Sequence, residues 1–142
     1  METVRFYLAG GMTGMSAENQ SGWRKRLCTA VKYEEYDCNK KAIFFDPTQH
    51  YSMFEQEHKS EREVMEFDLY NLRKSDIIIV NFNSPNSIGT AMELMLAREL
   101  RKPVIGLNND SINLHPWIAE CVTRECSTFE ELVEHIVEFY LN

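Results

Sequence analysis

No apolar run in this 142-residue chain approaches the roughly 18 residues that a helical membrane span needs, so no membrane partner is expected. Positive charge is also scarce. Fifteen Lys and Arg stand against 22 Asp and Glu, giving a net charge of -7 and a pI near 5.1. A duplex-binding surface needs a basic stripe to neutralise phosphates, so nucleic acid is not an expected partner either. The one basic cluster, Arg24-Lys25-Arg26, reads as the solvated face of a helix. The four cysteines, Cys28, Cys38, Cys121 and Cys126, make no CxxC pair, and the histidines at 50, 58, 115 and 135 lack His-x-x-x-His spacing. Neither a metal site nor a cofactor is therefore expected, and the thiols read as core or partly exposed groups of a reducing compartment. Met1-Glu2-Thr3-Val4-Arg5 runs straight into a strand pattern with no signal-peptide region, which points to a cytoplasmic protein. Linkers, repeats and low-complexity tracts are absent, so residues 1–142 are expected to form one domain.

What the chain does have is a strand–loop–helix passage in its centre. Ser75-Asp76-Ile77-Ile78-Ile79-Val80-Asn81-Phe82 is followed by Ser87-Ile88-Gly89-Thr90-Ala91-Met92-Glu93. The run Ile-Ile-Ile-Val is β-branched without alternation, as expected of a parallel strand covered on both faces. Strands are also expected at Val4 to Ala9, Ala42 to Phe45, Val104 to Leu107 and, more briefly, within Cys121 to Cys126. Helices are expected at about 17–35, with Trp23, Leu27, Ala30 and Val31 on one face, and at about 61–74 and 88–101. A capping box at Ser127-Thr128-Phe129-Glu130 opens a last helix through Tyr140. Residues 108–117 read as irregular, and Trp23 and Trp117 as packing residues. The alternation gives an α/β fold: a single doubly wound domain with a flavodoxin-like parallel sheet of four or five strands in the order 2-1-3-4-5.

Such sheets bind ligands at the carboxyl ends of their strands, where helix N-termini favour anions. Gly10-Gly11-Met12-Thr13-Gly14 closes the first strand and lets the backbone approach a ligand, although a GGxxG loop lacks the order of a dinucleotide fingerprint. Thr48 to Ser60, with His50, Tyr51 and Phe54, is a long polar loop of the kind that often carries function. Glu93 is either a surface acid favoured by the helix dipole or a carboxylate with chemistry to do. Ser87 is either a plain N-cap or part of an anion cradle with Gly89 and Thr90. Asp68 is either a helix-surface charge or a working acid, while Asp76 reads as structural, leading the chain into its strand.

Taken in order, several segments resemble the nucleoside 2-deoxyribosyltransferases and their relatives that hydrolyse nucleoside 5'-monophosphates. They are Phe6-Tyr7-Leu8-Ala9-Gly10-Gly11-Met12, Phe67-Asp68-Leu69 with Ser75-Asp76, Gly89-Thr90-Ala91-Met92-Glu93 with Ala97, Lys102-Pro103-Val104-Ile105, and Ile112-Asn113-Leu114-His115-Pro116-Trp117. The resemblance covers most of the chain and implies cleavage of the bond between a nucleobase and a 2-deoxyribose. It implies Glu93 as the nucleophile that becomes a deoxyribosyl ester, Tyr7 as its hydrogen-bond partner, and Asp68 as the acid that protonates the leaving base.

The same resemblance places His50 near the base and Gly10, Gly11 and Met12 around the substrate. Asn113 and His115 fall at positions that a neighbouring subunit contributes, which implies a homo-oligomer. The expected partners are thus a nucleoside or nucleotide and a free nucleobase. Serine at 87 matches the monophosphate hydrolases, but the first loop lacks their arginine, with only Thr13 and Ser16 to replace it in part. The sequence therefore favours a transferase that tolerates phosphate, with the hydrolase as alternative. A non-catalytic nucleotide-binding or sensor domain is a second alternative, against which Glu93 and Asp68 both stand. A receiver or flavin protein finds no support, because no acidic pair ends the first strand.

Overall fold

The computed structural model describes residues 2–12, 15–50, 60–84 and 86–142, and of Ala17 the backbone alone. Among them five strands pair in parallel: β1 (Thr3–Gly10), β2 (Lys41–Phe45), β3 (Ile77–Asn81), β4 (Val104–Leu107) and β5 (Arg124–Cys126), in the order β2-β1-β3-β4-β5. This is the expected α/β order. Side chains alternate across a strand, so each central strand feeds two cores. Val4, Phe6 and Leu8 of β1 join Ile77 and Ile79 of β3 in one core, against Leu27 and Val31 of α1 (Ala17–Glu34) and Leu132 and Val133 of α5 (Phe129–His135). Tyr7 and Ala9 join Ile78 and Val80 on the other face. There they meet Leu72 of α2 (Glu61–Lys74) and Leu94 and Ala97 of α3 (Ile88–Glu99). Burial on both faces explains why β3 reads as an unbroken apolar run.

The chain crosses from β1 to β2 and then back over β1 to β3. Right-handed crossovers in opposite directions put α1 and α2 on opposite faces and leave a crevice between the carboxyl ends of β1 and β3. Asp76 acts structurally, as expected: its Oδ2 accepts the Arg5 amide at 2.8 Å and ties the entry of β3 to β1. The cysteine thiols are unpaired, and burial, reinforced by the charge of Asp46, pushes Cys28 up to about 11, far from a reactive thiolate.

Several expectations need correction. Arg24 does not share the solvated face of Lys25 and Arg26; it is only 1% exposed. Trp117 is 73% exposed rather than packed. Residues 116–117, the end of the stretch read as irregular, instead open a short helix, α4 (Pro116–Glu120), capped by His115, whose Nδ1 accepts the Trp117 amide at 3.1 Å. Pro116 at its first position fits, because that N–H has no helical partner to lose. Helix α3 stops at Glu99; Arg101 turns left-handed at φ 56°, just before Lys102, whose position ahead of Pro103 disfavours helix. The N-cap of α5 is Thr128, not Ser127: Thr128 Oγ1 accepts the Glu131 amide while Glu131 accepts the Ser127 amide, each at 3.1 Å. The chain after α5 widens into a π-helix, Ile136–Leu141. Thr13, Gly14, Tyr51 and Phe54 lie outside the described residues, as does most of the loop at 48–60.

Candidate active site

The crevice at the ends of β1 and β3 opens into a cavity of about 510 Å³, within the range that holds small-molecule ligands. Its floor is the β1 end, Gly10, Gly11 and Met12; one wall is α2, with Asp68 and Glu61; the other is the loop from Ser84 into α3, with Ser87, Gly89, Thr90 and Glu93. Gly11 is held there by space: a Cβ would lie 2.4 Å from Ser84 Cβ, so a side chain would force the β1 and β3 loops apart. Gly89 differs, with nothing within 4 Å of its would-be Cβ. It keeps the first turn of α3 bare on the cavity side.

Helix periodicity aims Glu93. Thr90, Leu94 and Ala97 form the buried face of α3, and Glu93 lies one turn from Thr90 beside that face. Strand parity aims Tyr7. It points to the α2–α3 side of the sheet, is fully buried, and donates its hydroxyl to Glu93 Oε2. Burial pushes the Glu93 carboxyl up to about 7; the Tyr7 hydrogen bond opposes that rise, the Asp68 charge adds to it, and the Arg24 cation opposes it. A half-buried carboxylate balanced near neutrality, with an acid across the cavity, is a pair suited to bond cleavage beside a proton donor.

At the mouth, Ser87 caps α3 by accepting the Thr90 amide at 3.3 Å. The Thr90 hydroxyl lines the cavity; it is buried and, among the described residues, has no hydrogen-bond partner. His50 does not line the cavity. It stacks on Phe45 at 4.9 Å, which stacks on Tyr7 at 5.3 Å, so it ends an aromatic ladder leading from the site. Asn113 and His115 are exposed, outside the residues that line the cavity, and His115 is engaged as the α4 cap.

Sequence reasoning missed Arg24, which lines the cavity from α1. A signal was present: Gln20, Arg24, Leu27 and Val31 follow the 4-3-4 spacing of one helix face. That spacing places Arg24 with the core residues, not with Lys25 and Arg26.

A family model for nucleoside 2-deoxyribosyltransferase matches residues 6–138. No curated protein matches the chain. Among solved structures, the fold is similar to a conserved protein from Enterococcus faecalis V583, with TM-score 0.74, 16% identity and coverage of 96% of this chain and 98% of that one. It is also similar to the 2-deoxyribosyltransferase of Bacillus psychrosaccharolyticus, with TM-score 0.69, 16% identity and coverage of 92% and 90%. The CMP N-glycosidase of Clostridium botulinum aligns with TM-score 0.59, 14% identity and coverage of 95% and 99%. These likenesses speak to the fold alone, while the family match spans most of the chain. The chain belongs to the nucleoside 2-deoxyribosyltransferase family.

Proposed function

We propose that this protein cleaves the N-glycosidic bond of 2'-deoxynucleosides through a deoxyribosyl ester on Glu93 and passes the sugar to another base or to water. Family and fold support a nucleoside-processing enzyme of the deoxyribosyltransferase or N-glycosidase kind. The observation that carries the finer reading is the buried Tyr7 hydroxyl bonded to Glu93, with Asp68 facing the same cavity. Tyr7 fixes one carboxylate oxygen and favours the ionised form. A Glu93 oxygen attacks C1', the C1'–N bond breaks, and its electron pair leaves with the base, which takes a proton from the Asp68 carboxyl. In the second step a nitrogen of the incoming base, or a water oxygen, attacks C1' and releases Glu93. The proton it sheds returns to Asp68. Two displacements at one carbon retain configuration.

The cavity favours an unphosphorylated sugar. Its described lining carries Glu61, Asp68 and Glu93 against one cation, Arg24, whose N–H groups already reach backbone carbonyls. A phosphate dianion would meet net negative charge there. The second reading, a 5'-monophosphate hydrolase, is favoured by the Thr90 hydroxyl at the N-terminus of α3, which has no hydrogen-bond partner among the described residues. Ser87 supports it less, being engaged as the cap.

A homo-oligomer fits the exposed apolar row of α3 at the cavity, where Ile88 is 77% exposed and Met92 53%. A second copy covering that row would bury apolar surface that a lone chain leaves in water. It would also bring a loop such as Asn113 to His115 toward a neighbouring cavity.

Incubation with deoxynucleosides and their 5'-monophosphates, with and without a second free base, tests the reading by chromatography. The expected product is a new deoxynucleoside carrying the added base. No cleavage of any substrate would remove the proposal. Should the monophosphate be preferred tenfold or more in kcat/KM, and Ser87→Ala abolish the preference, the hydrolase reading takes its place.

Gly89 gives a separate check. Alanine fits the unliganded space and favours helix by up to about 1 kcal/mol. Gly89→Ala should therefore keep or raise the Tm while raising KM. An unchanged KM would place the substrate away from the first turn of α3.

A further inference from the structure

Arg24 is a buried cation with an unusual set of contacts. Its Nε donates to the Leu8 carbonyl at 3.2 Å, Nη2 to the Gly10 carbonyl at 3.4 Å, and Nη1 to the Gln20 carbonyl. One turn earlier on α1, the buried Gln20 amide donates to the Met12 and Met15 carbonyls at 2.9 and 3.1 Å. These two side chains therefore hold the carboxyl end of β1 and both flanks of the loop that follows. On its other side Arg24 meets Asp46, at the end of β2, with Nε to Oδ1 at 3.8 Å. That ion pair is long, and Asp46 Oδ1 already accepts the Thr48 amide and hydroxyl at 2.9 and 2.6 Å.

A buried arginine loses much hydration, and neutral donors could tie down carbonyls at lower cost. The charge thus asks for a use beyond bracing. The guanidinium lines the same cavity as Glu93 and is the only cation among its described lining residues.

We propose that Arg24 is a positioning residue of the active site: it locks the β1 end and the β2 end into one floor beneath the substrate and supplies the cation that faces the Glu93 carboxylate. The inference deepens the proposed function and rests on it for its catalytic meaning. The groups that face Glu93 come from every neighbouring element. They are Tyr7 from β1, Asp68 from α2 and Arg24 from α1, with Asp46 of the β2 end behind Arg24 and Glu61 of α2 elsewhere in the cavity lining. Tyr7 and Arg24 favour the charged carboxylate, while the acids disfavour it. Removing Arg24 should therefore move Glu93 to higher pH. Removing the Asp46 charge, which partly offsets Arg24, should move it to lower pH.

Titration of the Glu93 carboxyl by carbon-detected NMR, assigned with Glu93→Gln, reads this without any need for turnover. In Arg24→Gln the midpoint should rise by roughly one pH unit, and in Asp46→Asn it should fall. Arg24→Lys should hold the wild-type midpoint, since the charge stays. Its KM should rise, because an ammonium cannot span β1 and Asp46 as a planar fork does. A folded Arg24→Gln protein with an unmoved midpoint would reduce Arg24 to a structural brace and overturn the proposal. If Arg24→Gln does not fold, Asp46→Asn decides: an unmoved midpoint overturns it equally. If the midpoints move as expected but the acid limb of kcat/KM does not follow them, Arg24 keeps its role toward Glu93. In that case the assignment of Glu93 as nucleophile fails.

Discussion

Glu93→Gln should reduce kcat by on the order of 10⁴-fold or more, since the variant keeps its shape but cannot form the ester. The same change should stabilise the protein at alkaline pH. Folding raises the carboxyl from 4.5 to about 7, so between those values the folded chain keeps a proton that the unfolded chain has released. Its contribution to stability is complete below pH 4.5 and is lost as pH rises through 7. Above pH 7 the wild type carries the cost of a desolvated charge, on the order of 3 kcal/mol. Glutamine carries no charge at any pH, and its carbonyl still accepts the Tyr7 hydroxyl. Thermal unfolding of both proteins at pH 5 and pH 8 should show similar Tm values at the lower pH and a higher Tm for the variant at the upper. In parallel, wild-type kcat/KM should climb with pH as Glu93 ionises and fall again where the Asp68 carboxyl loses the proton it donates to the base. A variant less stable than wild type at pH 8 would mean that the site stabilises the carboxylate, and the claim of a costly, poised charge would be lost.

The architecture was open to reading because its causes are local. An unbroken β-branched run can be buried on both faces only inside a parallel sheet, and strands separated by helix-length segments admit few right-handed windings. From that order, the meeting of the β1 and β3 ends follows, and with it the approach of Tyr7 and Glu93. Side-chain parity along β1 even says which sheet face Tyr7 takes.

Arg24 escaped because charge was allowed to outweigh position. Its helix phase with Leu27 and Val31 is inward, and partners that include the distant Leu8 and Gly10 carbonyls make burial tolerable there. Residues 116–120 escaped for a related reason: a five-residue helix has too few turns to show a period, and its cap is a histidine, not the usual Ser, Thr, Asp or Asn. The one-residue shift at Thr128 came from two adjacent hydroxyl residues, of which only the second places a glutamate at the third helical position. Asn113 and His115 lie beyond what a single chain's packing can assemble. Both are exposed, and the role proposed for them runs through a second copy of the chain.

Asp68→Asn should lower kcat by roughly 10²–10⁴, the usual worth of a positioned general acid, and the loss should track the leaving group. A base that must be protonated to depart will suffer the whole effect, whereas one that leaves readily as an anion will suffer little. The substitution also removes a negative charge that raises the Glu93 pKa. The acid limb of kcat/KM should consequently move to lower pH, with the nucleophile ionised over a wider range while the overall rate falls. These two signatures run in opposite directions, so they separate acid catalysis from a general loosening of the site, which would lower the rate without improving Glu93. Measuring kcat/KM across pH for two deoxynucleosides of differing leaving-group quality, in wild type and Asp68→Asn, reads both. An equal loss for the two substrates with an unmoved acid limb would mean that Asp68 merely positions the base, and the proton would then have to come from water or from the substrate itself.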